Sequence, residues 1–191
     1  WMLTRVWYQL RRPLRWEEPL TIRTWHREDK GATMYRDYDL FVDGEAVGEC
    51  VSAWVLASMD TRQIIRLATV HELDGTGGGE RCKSKKLSKL RLPQDLALAG
   101  RRKLRYSDTD LNGHVNNTRY ADFACDALEM ERLGPGRFLS SMQIGYLAEC
   151  RPGEELLLWT KEQDGTHFVQ GMDEGGKSRF EAALIFGEVL P

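Results

Sequence analysis

The stretch "SDTDLNGHVNNTRYADFACDALEMERLGPG", residues 107–136, decides the fold, because it joins a dense polar loop to an amphipathic helical pattern. Tyr120, Phe123, Ala124, Ala127 and Leu128 fall on one face at helical spacing, and Gly134-Pro135-Gly136 stops the pattern. Ahead of the helix stand aspartates, asparagines and a histidine. Polar groups at that density cost stability unless they bind something, cap something or do chemistry.

Calcium is the first chemistry to test. Asp108, Asp110 and Asn112 occupy positions one, three and five of an EF-hand loop, with Gly113 at six. The twelfth position, which must supply a bidentate carboxylate, is Arg119, and a cation there repels the metal. No amphipathic helix precedes Asp108 either. A calcium loop is therefore not expected.

Working outward, the chain repeats itself. Residues 12–59, from "RPLRWEEPL" to "VLASM", and residues 151–187, from "RPGEELLLW" to "ALIFG", each run from Arg-Pro through an acidic pair into three strand-like segments. A turn precedes the last segment in both, at Asp43-Gly44 and at Gly175-Gly176. Another alternating segment stands before each Arg-Pro, "MLTRVWYQL" and "SSMQIGYLAEC". Only the second copy carries the polar loop and helix, since the chain opens at Trp1. By analogy between the copies, about 40 to 50 further residues, a strand and a helix, are expected ahead of the first.

A strand, a long helix and four antiparallel strands make the unit in which a sheet wraps one helix. The expected fold class is therefore α+β, a tandem (double) hotdog with the first hotdog truncated at its N-terminus. The expected divisions are a first hotdog over 1–73, a linker with a basic segment over 74–100, and a second, catalytic hotdog over 101–191. Pairing sheets edge to edge would remove exposed edges, and a homodimer of the whole chain is a further expectation.

Composition narrows the function classes. With 191 residues, 41% hydrophobic and 29% charged, the chain has enough material for a real core. No apolar run approaches the roughly 20 residues of a membrane span, and no charged-then-apolar leader opens the sequence. Cys50, Cys82, Cys125 and Cys150 show no C-x-x-C spacing, so neither a zinc site nor a disulfide framework is expected and a reducing cytoplasm is the default. The net charge of −2 conceals a segregation, because residues 81–105 hold ten bases against the single acid Asp95. Within it Arg81, Lys83, Lys85, Lys86, Lys89, Arg101, Arg102 and Lys103 read either as a solvated linker or as a docking patch for an acidic partner. Nucleic acid is disfavoured, since the run lacks interleaved aromatics and the pI is about 6.1.

The segment "SDTDLNGHVNNTRYADF" resembles the D-x-N-x-H-V-N-N-x-x-Y signature of the plant and bacterial acyl-[acyl-carrier-protein] thioesterases, where it opens the helix of the second hotdog. "SAWVLASMDTRQIIRL" and "WMLTRVWYQL" are similar to segments of that family's first hotdog, and "YLAEC", residues 146–150, to the place where it keeps a Glu-Cys pair. The resemblance spans nearly the whole chain. It implies hydrolysis of fatty acyl-acyl-carrier protein, releasing the fatty acid and the carrier and so terminating fatty acid synthesis, with the acidic carrier as partner and no cofactor.

Carried over by residue, the resemblance implies a catalytic set of Asp110, Asn112, His114 and Glu149, with Cys150 a disputed member. Thioester hydrolysis needs a positioned nucleophile and a holder for the developing oxyanion. The helix starting near Asn117 offers N–H groups and a positive dipole end. Asn112 suits holding water or the carbonyl, His114 donating to the oxyanion or the leaving thiol, Asp110 orienting either, and Glu149 activating water. Asn116 and Asn117 read better as helix caps or loop-closing hydrogen bonds. On strand parity Met142, Ile144, Tyr146, Ala148 and Cys150 form the apolar set, which puts Cys150 in the core and Glu149 at the cleft. This favours water activated by Glu149 over a Cys150–His114 nucleophile pair. The alternatives are an acyl-coenzyme A hotdog thioesterase and a non-catalytic acyl-binding fragment; a dehydratase of this fold does not call for Asn112 with Glu149. His26, His71 and His167 have no ligand spacing.

Overall fold

The protein is described from a computed structural model, which covers residues 1–61, 63–70, 87–134 and 136–189. The chain divides into two compact units, Trp1–Ser88 and Lys89–Pro191. The division falls inside the 74–100 stretch that reads as linker. Arg81, Lys83, Lys85 and Lys86 of the basic run, with Cys82 and His71, lie outside the described residues.

The first unit is antiparallel sheet: β1 (Met2–Leu10), β2 (Leu20–Lys30), β3 (Thr33–Val42), β4 (Glu45–Ala57) and the short β5 (Ile64–Ile65). Its strands order as β2-β3-β4-β1, with β5 on β4. Aromatic and β-branched residues dominate these segments and suit a half-buried pleated surface. Asp43 and Gly44 join β3 to β4 with φ of 50° and 81°, the left-handed pair whose twist matches that of the flanking strands. One face buries Trp7, Val51 and Ala53, and Leu87 returns to pack on them beside Tyr35. Arg27 and Asp37 make a buried ion pair at 2.8 Å.

The second unit contains β6 (Ala97–Lys103), helix α1 (Arg119–Ala127), β7 (Arg137–Tyr146), β8 (Glu155–Gln163), β9 (Thr166–Met172) and β10 (Ser178–Glu188). Its strand order is β7-β10-β9-β8-β6. The repeat read in the sequence is thus a repeat of topology, since β1 to β4 and β7 to β10 are connected and ordered alike. The second unit adds β6 beyond β8, and α1. Among the described residues α1 is the only α-helix, so a helix wrapped by each sheet, as expected of a double hotdog, is seen in the second unit alone. No helix among the described residues is long and apolar enough to cross a membrane.

The second core forms where α1 lies on the sheet. Met142, Ile144, Leu156, Leu158, Val169, Phe180, Ala182 and Leu184 are all at most 4% exposed, and Phe123 and Ala124 of α1 meet them fully buried. Each of the larger of these contributes roughly 2 kcal/mol through burial. Tyr120 packs edge-on to Phe180 at 5.3 Å and to Tyr146 at 5.6 Å. Gly171 opposite Phe180 is required by close approach, because a Cβ there would overlap the phenyl ring. This packing fixes α1, and with it the loop that enters the helix.

Candidate active site

The polar residues of the 107–118 loop separate into those that build it and those that face outward. Asp108 is a builder, only 4% exposed. Its Oδ2 accepts the Arg105 N–H at 2.8 Å, closing a short 3-10 turn over Tyr106–Asp108, and its Oδ1 accepts Arg102 Nη2 at 3.2 Å. Arg102 reaches Asp126 of α1 with Nη1 at 3.1 Å and lies 4.2 Å over the Phe123 ring. Two carboxylates and a ring face therefore hold one guanidinium. Arg101 in turn pairs with Glu155 at 3.0 Å, while Lys89 and Lys103 are exposed.

Asp110 shapes the loop around the two residues that follow. Its Oδ1 accepts the Asn112 N–H at 2.8 Å, its carbonyl accepts the Gly113 N–H at 3.1 Å, and its own N–H donates to the His114 carbonyl at 3.0 Å. This is an Asx-turn, which aspartate forms readily. Asn112 at its tip is exposed. Asn116 closes the turn ahead of the helix, accepting the Thr118 N–H at 2.9 Å and the Thr118 hydroxyl at 2.8 Å with Oδ1. Asn117 presents its carbonyl to the Tyr146 hydroxyl at 3.2 Å. The helix starts at Arg119, two residues past the expected start.

The Glu149–Cys150 pair is not in a strand. β7 ends at Tyr146, so strand parity does not orient these side chains, and the expectation of a strand there is corrected. They nonetheless diverge: Cys150 is fully buried, whereas the Glu149 side chain is 51% exposed and places Oε2 3.3 Å from His114 Nε2. The backbone explains the outcome. The Cys150 carbonyl accepts the Val115 N–H at 2.9 Å, which lays residues 114–115 alongside 149–150. The Tyr120 hydroxyl lies beside Cys150. Burial pushes the Cys150 thiol up, only partly offset by Tyr120 and the charge of Arg179, and burial pushes the Tyr120 phenol up as well.

Of the candidate set, His114 and Glu149 are brought together, Asp110 holds the loop that carries Asn112 and His114, and Cys150 lies behind this surface. A carboxylate beside an imidazole can pass a proton between water and a leaving group. Sequence reasoning missed Arg179. Its Nη1 donates to the Glu149 carbonyl at 2.6 Å from 30 positions away, a separation at which no local pattern signals contact.

Two family models match, the acyl-ACP thioesterase N-terminal domain over residues 1–71 and the acyl-ACP thioesterase C-terminal domain over residues 95–187. The chain is 26% identical over 183 residues to oleoyl-acyl carrier protein thioesterase 1, chloroplastic, of Arabidopsis thaliana, covering 87% of this chain and 50% of that one. Among solved structures it matches an acyl-ACP thioesterase from Bacteroides thetaiotaomicron with a TM-score of 0.84 at 23% identity, over 97% of this chain and 75% of that one. It matches a 12:0-ACP thioesterase from Umbellularia californica with a TM-score of 0.83 at 21% identity, over 98% and 75%. These structural matches establish a hotdog-like α+β fold. The chain spans about half the length of the curated relatives it matches. With both family models in sequence order along it, the chain belongs to the acyl-ACP thioesterase family.

Proposed function

We propose that the chain hydrolyses the thioester of fatty acyl-acyl-carrier protein, through two hotdog units in succession, 1–73 and 101–191, joined by 74–100. The observation that carries this reading is the His114 Nε2–Glu149 Oε2 approach of 3.3 Å on an accessible surface. Glu149 takes a proton from water as the water oxygen bonds to the thioester carbonyl carbon. The tetrahedral oxyanion is held by Asn112 and by donors at the start of α1. Collapse breaks the C–S bond, and the proton passes through the Glu149–His114 contact to the departing sulfur. Water is thereby divided between acid and thiol, and no cofactor enters.

Cys150 is not the nucleophile in this reading. Its thiol is fully buried and pushed up by burial, opposite to what a reactive thiolate requires. Docking of the acidic carrier falls on the basic run, Arg81, Lys83, Lys85 and Lys86 with Lys89, Arg101, Arg102 and Lys103. Of its described members, exposed Lys89 and Lys103 are better placed than Arg102, which already holds Asp108 and Asp126. Reduced thiols at Cys125 and Cys150 suit a reducing compartment such as the cytoplasm.

The test is thiol release from acyl-carrier-protein substrates of several chain lengths, with acyl-coenzyme A in parallel and Glu149→Ala as control. Turnover favouring the carrier-linked substrate and collapsing in the variant supports the proposal. Preference for acyl-coenzyme A would redirect it to the alternative hydrolase, and binding without release to an acyl-binding role.

A further inference from the structure

The segment from Leu147 to Glu154 follows the end of β7 yet carries the Glu149 carboxylate in a defined place, so something other than strand pairing must hold it. One residue does much of this. Arg179 is the extra residue of a β-bulge in β10, where Ser178 pairs with Met172 and Phe180 with Gly171. The bulge turns its carbonyl toward the segment, and that one oxygen accepts the N–H groups of both Leu147, at 2.9 Å, and Ala148, at 3.1 Å.

Its side chain continues in the same direction. Nη1 donates to the Glu149 carbonyl at 2.6 Å. Nε and Nη2 each meet Asp173 Oδ2 at 3.0 Å, and Nη2 lies 3.8 Å from Glu154. Asp173 is itself fixed, accepting the Lys177 N–H at 2.8 Å with Oδ1. The Arg179 side chain is only 18% exposed. A planar fork that sets two nitrogens on one carboxylate oxygen and a third on a carbonyl is a geometry lysine cannot reproduce. Bulges of this kind re-aim side chains beside functional sites.

We infer that Arg179 is a positioning residue for Glu149: the bulge at β10 and the Asp173-clamped guanidinium together fix the 147–149 backbone so that the Glu149 carboxylate meets His114. The inference rests on the reading of Glu149 as the base. Because Arg179 acts through Glu149, its removal matters to turnover only while the carboxylate is present.

The experiment is a cycle on the full chain with acyl-carrier-protein substrate, using wild type, Arg179→Met, Glu149→Gln and the double variant, with Arg179→Lys as the conservative replacement. We expect Arg179→Met to lower kcat on the order of 10²-fold, the scale of an ångström-sized misplacement, with KM within about threefold. The same change in the Glu149→Gln background should cost no more than about threefold, since coupled residues are non-additive. Arg179→Lys should keep the charge and part of the rate. It also carries the test if the methionine variant does not fold, again losing rate only while Glu149 is present. Equal losses in both backgrounds, a rise in KM at unchanged kcat, or wild-type rates in Arg179→Met would overturn the inference. If Glu149→Gln retains wild-type turnover the reading of the base falls, and this inference with it. If Glu149→Gln collapses while Arg179→Met is active, only the role of Arg179 falls.

Discussion

Val115 donates its backbone N–H to the Cys150 carbonyl at 2.9 Å, and this bond sets two segments 35 residues apart side by side. His114 precedes the donor and Glu149 precedes the acceptor, so one backbone bond places their side chains within reach of each other. The carboxylate–imidazole approach of 3.3 Å therefore belongs to the fold of the second unit rather than to a chance rotamer.

If that placement governs turnover, shortening the carboxylate should be as damaging as removing it is in kind. Glu149→Asp keeps the charge and withdraws it by one methylene. Its kcat should fall on the order of 10²-fold while KM changes little. Because the side chain is half exposed, stability should stay within about 0.5 kcal/mol of wild type. Steady-state thiol release with a thermal melt checks both, and wild-type kcat would show that the His114 contact is not used.

Cys150→Ala should leave turnover within about fivefold of wild type and reduce stability by about 1–2 kcal/mol, because removing a fully buried sulfur leaves its space unfilled. A thiol-alkylating reagent applied to the folded protein near neutral pH should spare both Cys150 and Cys125, whose thiol burial pushes up to about 11. Peptide mapping after alkylation identifies the modified sites. Complete loss of turnover in a folded Cys150→Ala protein would instead assign the sulfur a direct role.

The sequence carried these features unequally. The four-strand repeat was legible because its turns are local, as at Asp43-Gly44, and because period-two alternation survives when identity does not. The loop-closing bond of Asn116 was legible for the same reason. Glu149 and Cys150 were given the right faces on the wrong ground, since alternation was extended past Tyr146, where the strand stops. Arg102 was grouped with the surface cations because its neighbours are basic, while the partner that engages it, Asp126, lies 24 positions on. Arg179 sits in a bulge, and a bulge is set by the pairing of two strands rather than by its own segment.

The two sorts of cation should separate by experiment. Arg102→Met removes one partner of buried Asp108, which keeps its Arg105 N–H bond, and should cost about 1–2 kcal/mol. Lys89→Ala with Lys103→Ala should leave stability within about 0.5 kcal/mol, raise KM for the carrier-linked substrate severalfold, and flatten its salt dependence. Denaturant melts and KM against ionic strength read these out. An unchanged KM in the double-lysine variant would exclude these two lysines from docking.

Glu181 in β10 gives stability a pH dependence of defined sign. Burial raises its carboxyl above the ordinary value, and the attraction of Lys89 offsets this only in part. Between the unfolded and folded pKa the folded chain then binds more protons than the unfolded one, so stability falls as pH rises. The contribution is fully present below the unfolded pKa and lost as pH climbs through the folded one. Glu181→Gln cannot ionise and removes this slope. Its Tm should exceed that of wild type above the folded pKa, and the difference should shrink towards a constant, charge-independent offset once pH is below the ordinary glutamate range. Paired melts from pH 3 to 8 measure it. A difference that does not depend on pH would show that Lys89 balances burial, and a variant whose Tm falls relative to wild type as pH rises would show that Lys89 supports the charged form more than burial opposes it.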